Sequence, residues 1–205
     1  MAKLSKNESK KRRELIIDTC AELYQVEELK DITINEIGLR LPFTRTSIYT
    51  YFDNKEEIVL ALLGREYLKW QADLKAIMAG PQLDVAGFTK ALTWTLANRQ
   101  ILLKILSQDI NSLEKESRIE HLTDFKEIYG QTISLLDQVV SYHFPTFTNE
   151  ARQAFLFSFL PFLYGVHPYT VVNEKQTEAM RKANVPFVYY GQDELIANCI
   201  KNLLS

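Results

Sequence analysis

Residues 33–57 read Thr33-Ile34-Asn35-Glu36-Ile37-Gly38-Leu39-Arg40-Leu41-Pro42-Phe43-Thr44-Arg45-Thr46-Ser47-Ile48-Tyr49-Thr50-Tyr51-Phe52-Asp53-Asn54-Lys55-Glu56-Glu57. Thr33 with Glu36 three residues on is a capping box: the hydroxyl accepts from a backbone N–H while the carboxylate reaches back. Ile34, Ile37 and Leu41 then share one face of a short helix, and Pro42 ends it, because the residue before a proline is pushed out of the α region. A second start signal stands at Thr44, only Pro42 and Phe43 later. The helix it opens is polar on most faces, with Ile48 and Phe52 four apart to hold it down. A third cap, Asn54 with Glu57, opens a long helix whose apolar positions include Ile58, Leu62, Tyr67, Trp70, Leu74 and Ile77, and which Gly80-Pro81 stops.

Upstream, Leu15, Ile16, Thr19, Cys20, Leu23 and Tyr24 form a helical stripe within residues 8–26. Downstream, the pattern predicts helices over 84–98, 100–107, 117–143, 149–167 and 192–204. It predicts a loop near 108–116 and an irregular stretch at 168–191, with a short helical turn as one option and Val185–Tyr190 as an extended one. No strand pattern is convincing, and the 7 glycines and 6 prolines are too few for a turn-rich β-barrel. The fold class expected is all-α: a helix-turn-helix head over residues 1–53 (motif about 33–52) and a helical effector-binding and dimerisation body over 54–205. The body is aromatic-rich, with 16 of the chain's 23 aromatic residues between Phe88 and Tyr190.

Composition narrows the function. With 24 basic and 26 acidic side chains in 205 residues the net charge is −2, which excludes a uniformly basic nucleic-acid coat but permits a basic patch. Such a patch stands at the start: Lys3, Lys6, Lys10, Lys11, Arg12 and Arg13 face one acid, Glu8. With the first helix read from Glu8, that charge opposes the helix macrodipole, which points to phosphate as its partner. The polar start of the chain resembles no secretory signal, and the cytoplasm is the expected compartment. The uncharged run from Gln153 to Asn173 is broken by Pro161, Gly165, His167 and Pro168, so a buried helix is expected there and no membrane span. Cys20 and Cys199 make neither a disulfide framework nor a four-ligand metal site. His121, His143 and His167 lack metal spacing. Glu114, Glu116 and Glu120 beside His121 read as a solvated, charge-rich loop rather than a metal cluster. No nucleophile elbow, P-loop or dinucleotide-binding glycine pattern occurs, so no enzyme, metal or cofactor is expected.

Two short helices about a tight turn, the second exposed and polar, suit a helix-turn-helix whose second helix enters the major groove. Thr44, Thr46, Ser47 and Thr50 allow close backbone approach and offer hydroxyls. Arg45 has the fork for guanine. Tyr49, Tyr51 and Lys55 stand where phosphates would lie, with Thr33 and Lys11 flanking them. On this reading Arg45→Ala relaxes sequence preference, whereas Lys55→Ala weakens all sequences alike and flattens the salt slope by about one unit.

Residues 10–60 resemble the DNA-binding domain of the TetR family of bacterial transcriptional regulators. The resemblance rests on the Arg13–Tyr24 helix, on Thr33-x-x-x-Ile37, and on Tyr49-x-x-Phe52-x-x-Lys55-x-x-Ile58. At the turn, where the family commonly has Ala-Gly-Val, this chain has Leu41-Pro42-Phe43. Proline cannot take the positive φ open to glycine, so the turn should be built differently. That departure, with glycine (Gly38) as the small residue of the second helix, bears on the docking angle of the recognition helix.

The resemblance implies a repressor that binds a palindromic operator in double-stranded DNA as a homodimer and is released by a small-molecule effector. The segment 151–166 is apolar nearly all round, and the last helix offers a second apolar face. In the family these two helices pair with their copies in a four-helix bundle, which marks Phe155, Leu156, Leu163, Leu195, Cys199 and Leu203 as interface candidates. For the effector pocket the candidates are Tyr67, Trp70, Trp94, Phe125, Tyr129, Phe159 and Phe162. Pro161 should kink its helix. The alternative reading is a helical ligand-binding or protein-interaction dimer with a vestigial DNA-binding head.

Overall fold

The computed structural model describes residues 5–205, and Lys3 of the basic run lies outside them. Among the described residues the chain forms ten α-helices and one 3-10 helix: α1 (Lys6–Val26), α2 (Ile34–Leu39), the 3-10 recognition helix (Arg45–Thr50), α3 (Lys55–Ala79), α4 (Val85–Ala97), α5 (Gln100–Gln108), α6 (Ile110–Glu116), α7 (Ile119–His143), α8 (Asn149–Thr170), α9 (Glu174–Lys182) and α10 (Gln192–Leu204). The fold is all-α. Packing divides the described residues into two compact units, one of residues 5–67 with 109–129, the other of 68–108 with 130–205.

Several boundaries differ from the sequence reading, each for a local reason. α1 begins at Lys6 because Ser5 and Glu8 make a full capping box. Lys10–Arg13 therefore sit beyond the first turn, where the macrodipole has faded, and Glu8 near the N-terminus is favourable. The stretch 108–116, expected as a loop, is helical because Ile110 and Leu113 are buried. α9 forms in the stretch expected to be irregular; Asn173 caps it, yet none of its side chains is buried. α8 runs through both Pro161 and Pro168.

In the second unit α4 packs on α10, α10 on α8, α8 on α5, and α4 on α5. Buried polar groups there are paired in a way that fixes register: Trp70 Nε1 donates to Thr95 Oγ1 at 3.0 Å and Gln71 Nε2 to Thr132 Oγ1 at 2.9 Å. Arg99 pairs with Asp73 and Arg152 with Asp137.

In the first unit Ile16, Ile17, Cys20, Leu23 and Tyr24 of α1, with Ile32, Ile37, Ile48 and Phe52, are all buried. Burial pushes the Cys20 thiol up to about 12 and also raises Cys199, so both stay protonated at neutral pH.

Candidate nucleic-acid interface

The recognition helix is held against α2 by a close approach. Gly38 lies on α2 where a Cβ would stand 3.0 Å from both Cβ and Cγ of Arg45. A larger residue would require Arg45 to give way by a few tenths of an ångström. From the same side, Asn35 Oδ1 accepts from Arg45 Nη1 at 3.3 Å. The turn between them needs no left-handed residue: the one non-glycine positive φ among the described residues is at Asn184, and no described glycine has one. Leu41-Pro42-Phe43 thus replaces a glycine turn with an all-negative-φ path. Phe43 also gains a role, since the Arg12 guanidinium lies 5.1 Å from its ring centre, as Arg13 lies 5.2 Å from that of Phe52. Two members of the basic run are thereby laid onto aromatic rings, while Lys11 remains exposed.

The helix itself is 3-10, a tighter winding that suits a six-residue piece rich in Thr and Ser. Its one buried side chain is Ile48. Thr44, Arg45, Thr46, Tyr49 and Thr50 are exposed and Ser47 is half-buried. The hydroxyls form a small network, Thr44 Oγ1 to Ser47 Oγ at 3.0 Å and Thr46 Oγ1 to Thr44 Oγ1 at 3.4 Å. That network leaves donor and acceptor capacity facing outward.

Two of the expected DNA contacts, Thr33 and Lys55, are bonded within the protein, and a third, Tyr51, has its hydroxyl enclosed. Thr33 is exposed, but its hydroxyl takes the Glu36 amide at 3.1 Å and donates to the Glu36 carboxylate at 2.9 Å, so it serves the α2 cap. Tyr51 is half-buried, and its Oη is enclosed without a hydrogen bond among the described residues. Lys55 points inward: its Nζ donates to the carbonyls of Leu29 at 2.6 Å, Ile32 at 3.0 Å and Lys30 at 3.4 Å. An ammonium has three donors, and here all three face the α1–α2 loop.

Residues that the sequence reading missed finish the site. Glu57 has no exposed surface. Burial alone would raise its carboxyl, but the Arg118 guanidinium and the Asp53 and Arg118 amides outweigh burial and hold it at about 2. The Asn54–Glu57 pair was legible as a cap, and Asn54 Oδ1 does accept the Glu57 amide at 2.8 Å. Its distant partner Arg118 left no local signal. Of the groups weighed as a metal cluster, Glu114 pairs with Lys126 and His121 lies against Arg118.

The expected effector-pocket residues are divided between the units. Tyr67, Phe125 and Tyr129 form an aromatic cluster in the first unit, with ring centres 5.6–6.2 Å apart. In the second, Trp70 is buried, Phe159 stacks between Phe155 and Phe162, and Trp94, 64% exposed, borders a groove of about 470 Å³ between α4 and α10. The expected interface residues also divide. Phe155, Leu156 and Leu163 are buried within the single chain, where α8 packs on α5 and α10. Leu195, Cys199 and Leu203 are half-buried. The uncovered face of α8 instead carries Ala154, Phe157, Ser158 and Pro161. Among the described residues no single helix is long and apolar enough to cross a membrane.

A short exposed helix seated on a capped partner helix, with hydroxyls and one arginine at its surface, forms a helix-turn-helix unit. Comparison with known proteins agrees: residues 16–62 match the family described as bacterial regulatory proteins, tetR family, and residues 64–205 match the tetracyclin repressor-like C-terminal domain. The chain belongs to the TetR family.

It is 32% identical over 63 residues to the HTH-type transcriptional regulator TtgW of Pseudomonas putida. That match covers 31% of this chain and 47% of TtgW, so the chain spans about half the length of this curated relative. Two solved structures share the fold. One is a TetR/AcrR-family regulator from Thermobifida fusca (TM-score 0.60, 19% identity, 95% of this chain and 97% of that one). The other is the fatty acid degradation regulator FadR from Bacillus halodurans (TM-score 0.59, 18% identity, 100% and 97%).

Proposed function

We propose that the chain is a cytoplasmic, non-enzymatic repressor that binds a palindromic operator as a homodimer and leaves it when a small molecule binds. The observation that carries this reading is the exposed row Thr44, Arg45, Thr46, Tyr49 and Thr50, set on α2 by the close Gly38–Arg45 approach. Arg45 reads a guanine and the hydroxyls meet neighbouring bases or phosphates, with Lys11 on the backbone. Lys55 positions the loop behind them. Residues 1–53 act as the head and 54–205 as the body that binds the effector and dimerises.

Dimerisation uses the α8 face that includes Phe157 and Pro161 together with Leu195, Cys199 and Leu203 of α10. It places two recognition helices about 34–36 Å apart, one turn of DNA. The effector binds in the second unit, where Trp94 is the aromatic candidate open to a ligand. It acts by preferring the arrangement of heads that does not fit the operator.

Selection of bound fragments from the sheared source genome, at two salt concentrations, tests the reading. A palindrome that survives the higher salt is expected. Recovery that is diffuse and lost with salt overturns specific regulation and favours a ligand-binding dimer with a vestigial head.

A further inference from the structure

The four residues that follow the recognition helix are each held by one short segment from far along the chain. The Tyr51 carbonyl, at the C-cap, accepts from Arg118 Nη2 at 3.4 Å. The Phe52 ring meets the His121 ring edge-on with centres 5.7 Å apart. The Asp53 carboxylate lies 3.1 Å from Arg118 Nε, and Asn54 Nδ2 donates to the Glu116 carbonyl at 2.8 Å. Beneath them the buried Glu57 carboxylate takes Arg118 Nε and Nη2, each at 2.7 Å, and the Arg118 amide at 3.0 Å. Its second oxygen also accepts the Asp53 amide at 2.8 Å. The segment is the join between α6 and α7, and it falls within the stretch matched to the C-terminal domain of the family.

We infer that Arg118 is a positioning residue for DNA recognition: by holding residues 51–57 it sets the pitch at which Thr44–Thr50 meet the major groove. The inference rests on the regulator reading. A six-residue 3-10 helix with one buried side chain has little of its own to fix its direction. Its pose is set at its two ends. Gly38 and Asn35 hold the first end through Arg45, and Arg118 holds the second. An exposed ion pair would do little. Here the carboxylate is fully buried and bidentate, and a planar guanidinium defines a direction as well as a charge. α7 begins at Ile119, immediately after Arg118, so the clamp stands at the start of a long helix and not in a free loop.

The test uses the full chain, a duplex recovered by the fragment selection and a scrambled duplex of equal length. The paired variant Glu57→Gln with Arg118→Gln removes both charges, so no buried carboxylate is orphaned. Its ratio of specific to scrambled affinity should fall about tenfold, the size of losing one good base contact. Scrambled-duplex affinity and salt slope should hold, and amides of residues 45–52 should exchange faster. Arg118→Lys keeps the charge opposite Glu57 but not the fork, and should lose part of the ratio; it carries the test if the paired variant does not fold. An unchanged ratio in a folded variant, or equal losses on both duplexes, makes Arg118 a stabiliser only and overturns the inference. If the wild-type chain itself shows no preference between the duplexes, the regulator reading fails first and takes this one with it.

Discussion

Residues 33–57 and α8 are of similar length and equally prominent in the sequence, yet they yielded to reading very differently. In the head, polar residues alternate with a sparse apolar set, and the spacing picks out its core: Ile37, Ile48 and Phe52 are all buried, while Leu39 lies outside the stripe and is exposed. In α8 the apolar residues run nearly all round. Phe155, Leu156 and Leu163 are core, while Phe157, one position away, is 64% exposed. Where polar residues mark the outside, spacing fixes the face. Where both sides are apolar, only the packed neighbours, α5 and α10, decide it.

The sharpest way to break that comparison is to truncate the two phenylalanines of α8 in turn. Phe155 stacks on Phe159 with ring centres 5.4 Å apart and is fully enclosed. Phe155→Ala should therefore lower unfolding free energy by about 3–5 kcal/mol, the usual loss for a buried aromatic ring, read by denaturant melts at fixed protein concentration. A loss under about 1 kcal/mol would return Phe155 to the subunit interface for which the sequence reading marked it.

Next in size is Lys55. If it were a phosphate contact, its removal would leave stability alone and flatten the salt dependence of DNA binding. With its ammonium bonded to the Leu29, Lys30 and Ile32 carbonyls, Lys55→Met should instead cost the fold about 1.5–3 kcal/mol, the range for hydrogen bonds to a charged group, with the salt slope intact. Arg45→Ala is its mirror image. Stability should hold while discrimination at one base position falls by about 1–3 kcal/mol, measured on single-substitution duplexes. A flattened salt slope for Lys55→Met without lost stability would restore the phosphate role.

The class of protein, the capping box at Thr33, the cap at Asn54 and the exposed residues among Thr44–Thr50 were legible because each is written within a few residues. What was not legible depends on distance or on side-chain direction. Nothing near Lys55 announces that its stem turns toward residues 29–32, and nothing near Glu57 names a guanidinium 61 positions away. Asn35 and Gly38 lie in between: local in sequence, but meaningful only once the recognition helix is laid across α2.

The Glu57–Arg118 pair gives a smaller effect, visible in acid. The folded-state value of Glu57 lies at about 2, below the ordinary 4.5. Its stabilising contribution is therefore complete above about 4.5 and is lost as pH falls from there to about 2. Stability of the wild type minus that of Glu57→Gln, followed by denaturant melts across this window, should shrink steadily toward acid. A difference that stays flat between about pH 5 and about pH 2 would place the carboxylate outside the clamp.

The smallest change in stability belongs to Phe157, and it bears most on assembly. Its ring is not covered by its own chain, so Phe157→Ser should shift monomer folding by no more than about 0.5 kcal/mol, as for a surface position. If the α8 face with Pro161 meets a second copy beside Leu195, Cys199 and Leu203, the same substitution buries a hydroxyl where a ring would pack, and sedimentation should show the dimer dissociating at higher protein concentration. Operator affinity should fall with it, since each head alone reads half a palindrome, while binding to scrambled duplex by the monomer persists. Phe155→Ala, compared at equal folded fraction, should leave the association constant nearly unchanged. Should the two substitutions exchange roles, with Phe157→Ser unfolding the chain and Phe155→Ala separating the dimer, the inner and outer faces assigned to α8 would be reversed.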